Sequence, residues 1–276
     1  KILIAVYVIL TLEIIVQNIH INHPGIMKYN RILATSLLSI FFWFLLMPSA
    51  SSGKPKRQDE PPPRTNGRSA GSRGCSNNRR VLKNAPPALI LLSSNTKKAN
   101  TISSNPIFAW FVRDSQIRQM QFRLYQEDSA TQEYELVKEI TDKDFQTKPG
   151  IMVLPMPKTV SLETGKKYLW QVELICDRNR PSANLFAEAE IEMAPIQPNL
   201  KNQIKQAVNP EDKAMLFAKN GLEHDALMTV LAGNKNTASK KPRMKKLKLA
   251  LLNQITSNPS ELKTLQNCQI HWIKME

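Results

Sequence analysis

The stretch LETGKKYLWQVELICD, residues 162–177, decides how the chain is read. Tyr168, Trp170, Val172, Leu174 and Cys176 fall on one side of a period-two alternation, with Gln171 and Glu173 on the other. Side chains along a strand point alternately to its two faces, so the pattern predicts a half-buried central strand reached through a turn at Gly165. Such a strand needs neighbours. Working outward, the short apolar or alternating runs 88–92, 107–113, 120–126, 134–140, 151–155 and 184–193 supply them, and the central run is 168–176. Pro106, Pro149-Gly150, Gly165 and Pro181 punctuate the series, as turns punctuate an all-β unit. In 184–193, Leu185, Ala187, Ala189, Ile191 and Met193 alternate with Glu188, Glu190 and Glu192, which predicts a strand with an acidic, solvated outer face. Seven short strands over roughly a hundred residues predict an immunoglobulin- or fibronectin-like antiparallel β-sandwich. Its span is 88–195, and Trp110 and Trp170 lie on the alternating apolar face as core anchors, not as platforms for a sugar ring.

Past Pro198 the period changes. Asn209-Pro210-Glu211-Asp212 is a helix start: a capping side chain, a proline in the first turn and two acids against the positive end of the dipole. Asn220-Gly221 ends that helix, and 223–232, closed by Gly233, predicts a second. The expected fold class is therefore α+β, a sandwich followed by a small C-terminal helical hairpin within a helical region at 196–276. Lys240, Lys241, Arg243, Lys245, Lys246 and Lys248 run into Leu247, Leu249, Leu251 and Leu252. This block is either a basic amphipathic helix for a membrane surface or the solvated face of an ordinary helix, and the second reading is preferred. The last residues, with Cys268, His271 and Trp272, show no usable period.

The formal net charge of +15 is unevenly spread. Residues 52–86 hold nine Lys or Arg against two acids, 87–195 thirteen against fourteen, and 196–276 thirteen against six. The sandwich is neutral and its flanks are basic. Upstream, Met27, the cations Lys28 and Arg31, the apolar run 32–47 and the small-residue exit 48–52 have the layout of a secretory signal. Residues 1–26 precede that signal and read as mis-included upstream sequence; 27–52 reads as a signal peptide or an N-terminal membrane segment; 53–87 reads as a basic Pro/Gly/Arg linker. The protein is expected to be exported, periplasmic or extracellular, with membrane contact through the N-terminal apolar segment if that segment stays uncleaved. Export argues against nucleic acid as a partner.

Of the three cysteines, Cys75 and Cys176 form the preferred disulfide and Cys268 is left over; the competing reading is a buried free thiol at Cys176. Such a bridge would staple the end of the linker to the central strand. His224-Asp225 is the one adjacent imidazole and acid pair in the mature chain, and it reads as a surface or interface histidine on a helix. Asp177, just past the central strand, reads as a turn residue. No phosphate-binding glycine loop, metal-spaced histidine set or nucleophile elbow is present in the sequence. Accordingly no catalytic, cofactor-binding or metal-binding residue is assigned.

Several landmarks occur together: Gly71-Ser72-Arg73-Gly74-Cys75, Asn105-Pro106-Ile107-Phe108-Ala109-Trp110, Leu162-Glu163-Thr164-Gly165-Lys166 with Tyr168 and Trp170, Ile175-Cys176-Asp177, and AKNGLEHDAL at 218–227. Over about residues 60–235 the chain resembles the cyanobacterial secreted proteins grouped as domain of unknown function 928. That family usually shows aromatics where this chain has Glu223 and His224. The resemblance implies export and the two-part layout, and no activity. The functional expectation is a non-catalytic envelope module that binds a protein, a polysaccharide or an anionic surface. The alternatives are an envelope enzyme acting on polysaccharide and, should export be wrong, a nucleic-acid binder.

Overall fold

The computed structural model describes residues 67–69, 75, 85–94, 99–233 and 242–274, all within the unit Arg57–Glu276. The apolar strands sort into two sheets. One holds β1 (Leu89–Leu91), β3 (Ile107–Val112), β6 (Gly150–Pro155) and β9 (Ile270–Trp272), in that spatial order. The other runs β2 (Ala99–Thr101), β8 (Leu185–Met193), β7 (Lys167–Leu174), β4 (Met120–Glu127) and β5 (Tyr134–Ile140). Alternation in β4 and β7 turns Met120, Phe122, Leu124, Tyr168, Trp170 and Val172 into the space between the sheets, where Phe108, Trp110, Val112, Met152 and Leu154 meet them. Phe108 sits at the centre, with ring centroids 4.8 Å from Trp170 and 5.3 Å from Phe122. Each fully buried side chain of this size contributes about 1.5–3 kcal/mol of transfer free energy.

The four-stranded sheet is apolar on both faces. Ile90, Leu92, Ala109, Phe111, Ile151 and Val153 point away from the inter-sheet core, and a layer of helices covers them. The helices are α1 (Pro198–Gln206), α2 (Pro210–Lys219), α3 (Glu223–Gly233), α4 (Pro242–Ile255) and α5 (Pro259–Asn267). Phe217, Leu227, Leu231, Met244, Leu252 and Leu265 fill this second core. A sheet buried on both sides needs continuous apolar strands, which IFAWFV in β3 and IMVL in β6 are.

The expected immunoglobulin- or fibronectin-like antiparallel sandwich with a small C-terminal helical hairpin is therefore corrected in two respects. Both sheets are mixed: β2 pairs parallel to β8, and β6 parallel to β9. The helices are five among the described residues, and they form a third layer before the chain returns to the four-stranded sheet as β9. The physical cause is the second apolar face of β3 and β6, which a two-helix hairpin is too small to cover.

Two local features fix the ends of this layer. Gly150 has a φ of +117°, and any β-carbon there would meet the Gln269 carbonyl, which accepts the Ile151 N–H at 2.8 Å. A glycine at this position lets β9 approach β6. At the opposite edge Arg68, bridged to Ile90 of β1, donates to both carboxylate oxygens of Glu261 at 2.7 and 3.0 Å and to the Ile255 carbonyl at 2.6 Å. One guanidinium thus ties the edge of the sheet to the end of α4 and the first turn of α5.

The regions 1–26, 27–52 and most of 53–87 lie outside the described residues, as do Lys240 and Lys241. Among the described residues no helix is long and apolar enough to cross a membrane.

Candidate functional site

Helix α3 meets the sheets end-on to the loop between β2 and β3, and its first turn decides the geometry there. Asn209 caps α2 by accepting the Asp212 N–H at 2.9 Å; Gly221, at φ +70°, then turns the chain so that α3 begins at Glu223. Successive helix residues point about 100° apart, so His224 and Asp225 straddle the seam between helix and strands. The Asp225 carboxylate accepts the Thr101 hydroxyl at 2.6 Å and the Ile102 N–H at 2.9 Å. His224 places Nε2 3.0 Å from the Ile107 carbonyl, so Nε2 carries the proton and donates, and its ring lies 6.2 Å from Phe108. The loop 102–107 is pinned to α3 at both of its ends.

Both side chains are buried: His224 is 5% exposed and Asp225 8%. Burial pushes the His224 imidazole below its ordinary value, against the opposing pull of the Asp225 charge. Burial likewise pushes the Asp225 carboxyl up, opposed by His224, by the Thr101 and Ile102 hydrogen bonds, and by Lys213. The sequence-based expectation of a surface or interface histidine is corrected here, since the pair joins a helix to two strands. A buried imidazole whose N–H is committed to a carbonyl offers no accessible proton relay.

Beside this clamp lies an open groove of about 820 Å³, bounded by the 102–107 loop, the end of α1, and one side each of α2 and α3. Its walls are Ile102, Ile107, Ile204, Val208, Phe217 and Met228; Ser103, Asn105, Lys213, Asp225 and Thr229 supply its polar points. Most of those polar points are already engaged. Asn105 donates to the Val160 carbonyl, Thr229 donates to the Asp225 carbonyl, and Asp225 holds the loop. The Lys213 ammonium stands 5.7 Å above the Phe217 ring and is the single cation among the described lining residues. Val208, on the rim, is 94% exposed. The volume falls in the ordinary range of small-molecule sites, about 300–1,000 Å³.

The residues singled out from the sequence fall elsewhere. Cys75 and Cys176 are joined by a disulfide with a Cα–Cα distance of 5.1 Å, and Arg118 donates to the carbonyls of both at 3.3 Å. Cys268 is a free, partly buried thiol, pushed up by burial. Trp110 and Trp170 are fully buried between the sheets and unavailable to a sugar. Asp177 organises a turn: it accepts the Asn179 N–H at 2.9 Å and pairs with Arg180 at 2.8 Å, which holds its carboxyl below the usual value. The acidic outer face expected of β8 is corrected at its centre, where Glu188 is buried and accepts from Gln171 at 2.9 Å. The apolar side chains of α4, Met244, Leu251, Leu252 and Ile255, are buried in the helical layer, which leaves Arg243, Lys245 and Lys246 on the solvent face. Among the described residues no group of His, Cys, Asp and Glu is placed to hold a metal ion.

Sequence reasoning missed the groove. Its lining comes from four separate segments, and no one of them forms a motif. Lys213, a single lysine in a helix, gives no signal without the fold.

No curated protein matches the chain. Among solved structures it is similar to that of Astrotactin-2, a conserved vertebrate-specific and perforin-like membrane protein involved in neuronal development, at 12% identity and a TM-score of 0.22. That likeness covers 68% of this chain and only 40% of the other, and it is too weak to bear on fold or function. The sequence pattern of the family described as Domain of Unknown Function (DUF928) matches residues 68–265, which is most of the chain and includes β1 to β8 and the helical layer into α5, and stops short of β9. The protein belongs to that family.

Proposed function

We propose that this chain is an exported, non-catalytic module that binds a component of a cyanobacterial envelope in the groove between α1, α2, α3 and the 102–107 loop. The observation that carries the reading is the groove itself: apolar walls, an open mouth and a carboxylate already occupied by two hydrogen bonds. Export is supported by the disulfide between Cys75 and Cys176, since such bonds persist in oxidising compartments, and by the signal-like run ahead of the linker. A polysaccharide-cleaving enzyme would need two carboxyl groups about 5–10 Å apart across the cleft. Asp225 is the one carboxylate among the described lining residues, and it is spent on the fold.

The test compares the full chain with Ala232→Trp, which fills the groove from the α3 side. Each is immobilised and exposed to an envelope extract, and the retained molecules are identified by mass spectrometry. A component retained by the native chain and lost with Ala232→Trp supports the reading. Equal retention by both moves the binding surface elsewhere, and turnover of a polysaccharide by the native chain removes the non-catalytic part.

A further inference from the structure

The face of the five-stranded sheet turned away from the inter-sheet core carries side chains too deeply buried for an open surface. Strand alternation puts Leu169 and Gln171 of β7, Arg123 and Tyr125 of β4, and Glu188 and Glu190 of β8 on that face. Leu169 is 2% exposed and Tyr125 3%, yet neither belongs to either apolar core, and the helical layer packs on the other sheet. The register sets four side chains in one crosswise row: Glu190 is opposite Leu169, Leu169 opposite Tyr125, and Tyr125 opposite Leu136 of β5. Leu136, at the far end of the row, is 39% exposed. The same face is acidic. Arg123 is shared between Glu139 and Glu173, and Lys167 pairs with Glu127, while β8 adds Glu188, Glu190 and Glu192.

The chain reaches this sheet beside β8, where the Gly67 N–H donates to the Glu188 carbonyl at 2.6 Å. Shortly ahead of Gly67 in the sequence stands Pro61-Pro62-Pro63-Arg64. A proline run is held extended at about 3.1 Å per residue, and such segments dock on aromatic and apolar surfaces with little conformational entropy left to lose. We infer that the segment 61–64 docks across this outward face, with Arg64 against Glu190 and the three prolines over Leu169, Tyr125 and Leu136. The reach fits. From Gly67 back to Pro61 the segment spans about 19 Å in that conformation, and four strand spacings of about 4.8 Å carry a chain lying beside β8 to β5. Asp59 and Glu60 then fall beyond β5, clear of the acids of β8. A second copy of the chain is the poorer occupant, because two-fold pairing of this face sets its acids against themselves. A stretch with the composition of a solvated linker thus becomes the cover of the sheet.

The experiment compares the full native chain with a variant carrying Pro61→Gly, Pro62→Gly and Pro63→Gly, substitutions that lie ahead of both sheets and leave their cores intact. One readout is the rate of tryptic cleavage after Arg64, divided by that of the same bond in a free peptide of matching sequence. The other is nitration of Tyr125 by tetranitromethane, located by mass spectrometry. In the triple variant the relative cleavage rate should rise at least about five-fold, since cleavage follows the population of the undocked segment. Tyr125 should become reactive in the same variant. Glu190→Lys, which sets a cation against Arg64, should also speed the cleavage. Cleavage unchanged in both variants would mean that the bond is protected by the anchoring of Gly67 alone, and would overturn the docking. Tyr125 unreactive in the triple variant at every protein concentration would assign the cover to another part of the chain, and reactivity that appears only on dilution would assign it to a second copy; either result overturns the inference. None of these outcomes depends on what the groove binds.

Discussion

The clamp at Asp225 yields the most discriminating test of this architecture. Replacing Asp225 with alanine removes the acceptor for the Thr101 hydroxyl and the Ile102 N–H, which lie 2.6 and 2.9 Å away. Hydrogen bonds to a charged group are worth about 1.5–3 kcal/mol each, so the gross loss is about 3–6 kcal/mol. Two effects reduce it: the buried carboxylate no longer has to be desolvated, and the groove admits water to the orphaned donors. The net loss should be about 2–3 kcal/mol, a fall of about 5–10 °C in Tm for a domain of this size. Asparagine behaves differently. Its Oδ1 can accept the Ile102 N–H while its Nδ2 donates to Thr101 Oγ1, a hydroxyl that can turn to accept, and no charge is buried. Asp225→Asn should therefore cost less than about 1 kcal/mol. Thermal and urea unfolding of the full chain followed by near-UV circular dichroism measures both. If asparagine proves as damaging as alanine, the negative charge itself is required, and the assignment of Asp225 to a purely positional role is refuted.

The other expected outcomes concern pH, the sheet edges and the disulfide. Because burial holds folded His224 below its ordinary 6.5, the unfolded chain takes up a proton that the folded chain refuses as the pH falls through 6.5, and stability declines there; His224→Leu should flatten that decline in urea midpoints measured against pH. Asp225 acts in the opposite sense at lower pH, because its folded pKa is raised above 3.8: the folded state is protonated first and regains stability as the pH falls toward 3.8. Arg68→Met leaves the carboxylate of Glu261, 1% exposed, without its cation and should cost about 3 kcal/mol, most of it recovered in the double variant with Glu261→Leu; no recovery would show that packing, not the buried charge, is the cause. Replacing Cys75 and Cys176 with serine opens a loop with a sequence separation of 101 and should cost about 4–5 kcal/mol in urea unfolding, a loss that the same protein under reducing conditions should reproduce. Gly150→Ala, at φ +117° and against the Gln269 carbonyl, should cost about 2–3 kcal/mol and speed hydrogen exchange at the Ile151 amide; protection equal to native would mean β9 does not depend on this approach.

What was legible in the sequence was local. The alternation of Tyr168, Trp170 and Val172 marks an inward face because strand side chains alternate, and each of the seven runs expected from the sequence overlaps a strand. Asn209-Pro210-Glu211-Asp212 and Asn220-Gly221 bracket α2 because caps act within one turn. What failed was the assembly of these pieces. Ala99–Thr101 and Ile270–Trp272 are three-residue strands, too short for a period to appear, and each lies parallel to a partner far along the chain. A period-two reading of β3 selects Phe108, Trp110 and Val112 and passes over Ala109 and Phe111, which face the helices. An apolar run without alternation signals cover on both faces, and that signal was present in both β3 and β6.

The site was hidden for a related reason. His224 and Asp225 look like a pair by adjacency, yet on a helix adjacent residues diverge, and here one reaches Ile107 at the start of β3 while the other reaches Thr101 at the end of β2. Their joint action is to hold the intervening loop flat against α3, and that loop is one wall of the groove. Groove and clamp are therefore one mechanical unit. A ligand bound between the loop and α2 contacts the folded arrangement only, so it stabilises the native chain in proportion to its occupancy, by about 2.7 kcal/mol at a hundred-fold excess over Kd. Asp225→Ala releases one end of the loop, and part of the binding free energy must then go into ordering it again, which weakens the ligand. At one fixed ligand concentration, a ligand of the groove should therefore raise the Tm of Asp225→Ala less than that of the native chain. A molecule bound elsewhere on the sandwich should raise both by the same amount. That contrast separates ligands of the groove from ligands of the rest of the surface whatever their chemistry, and equal shifts for every groove ligand would show that the clamp does not shape the groove.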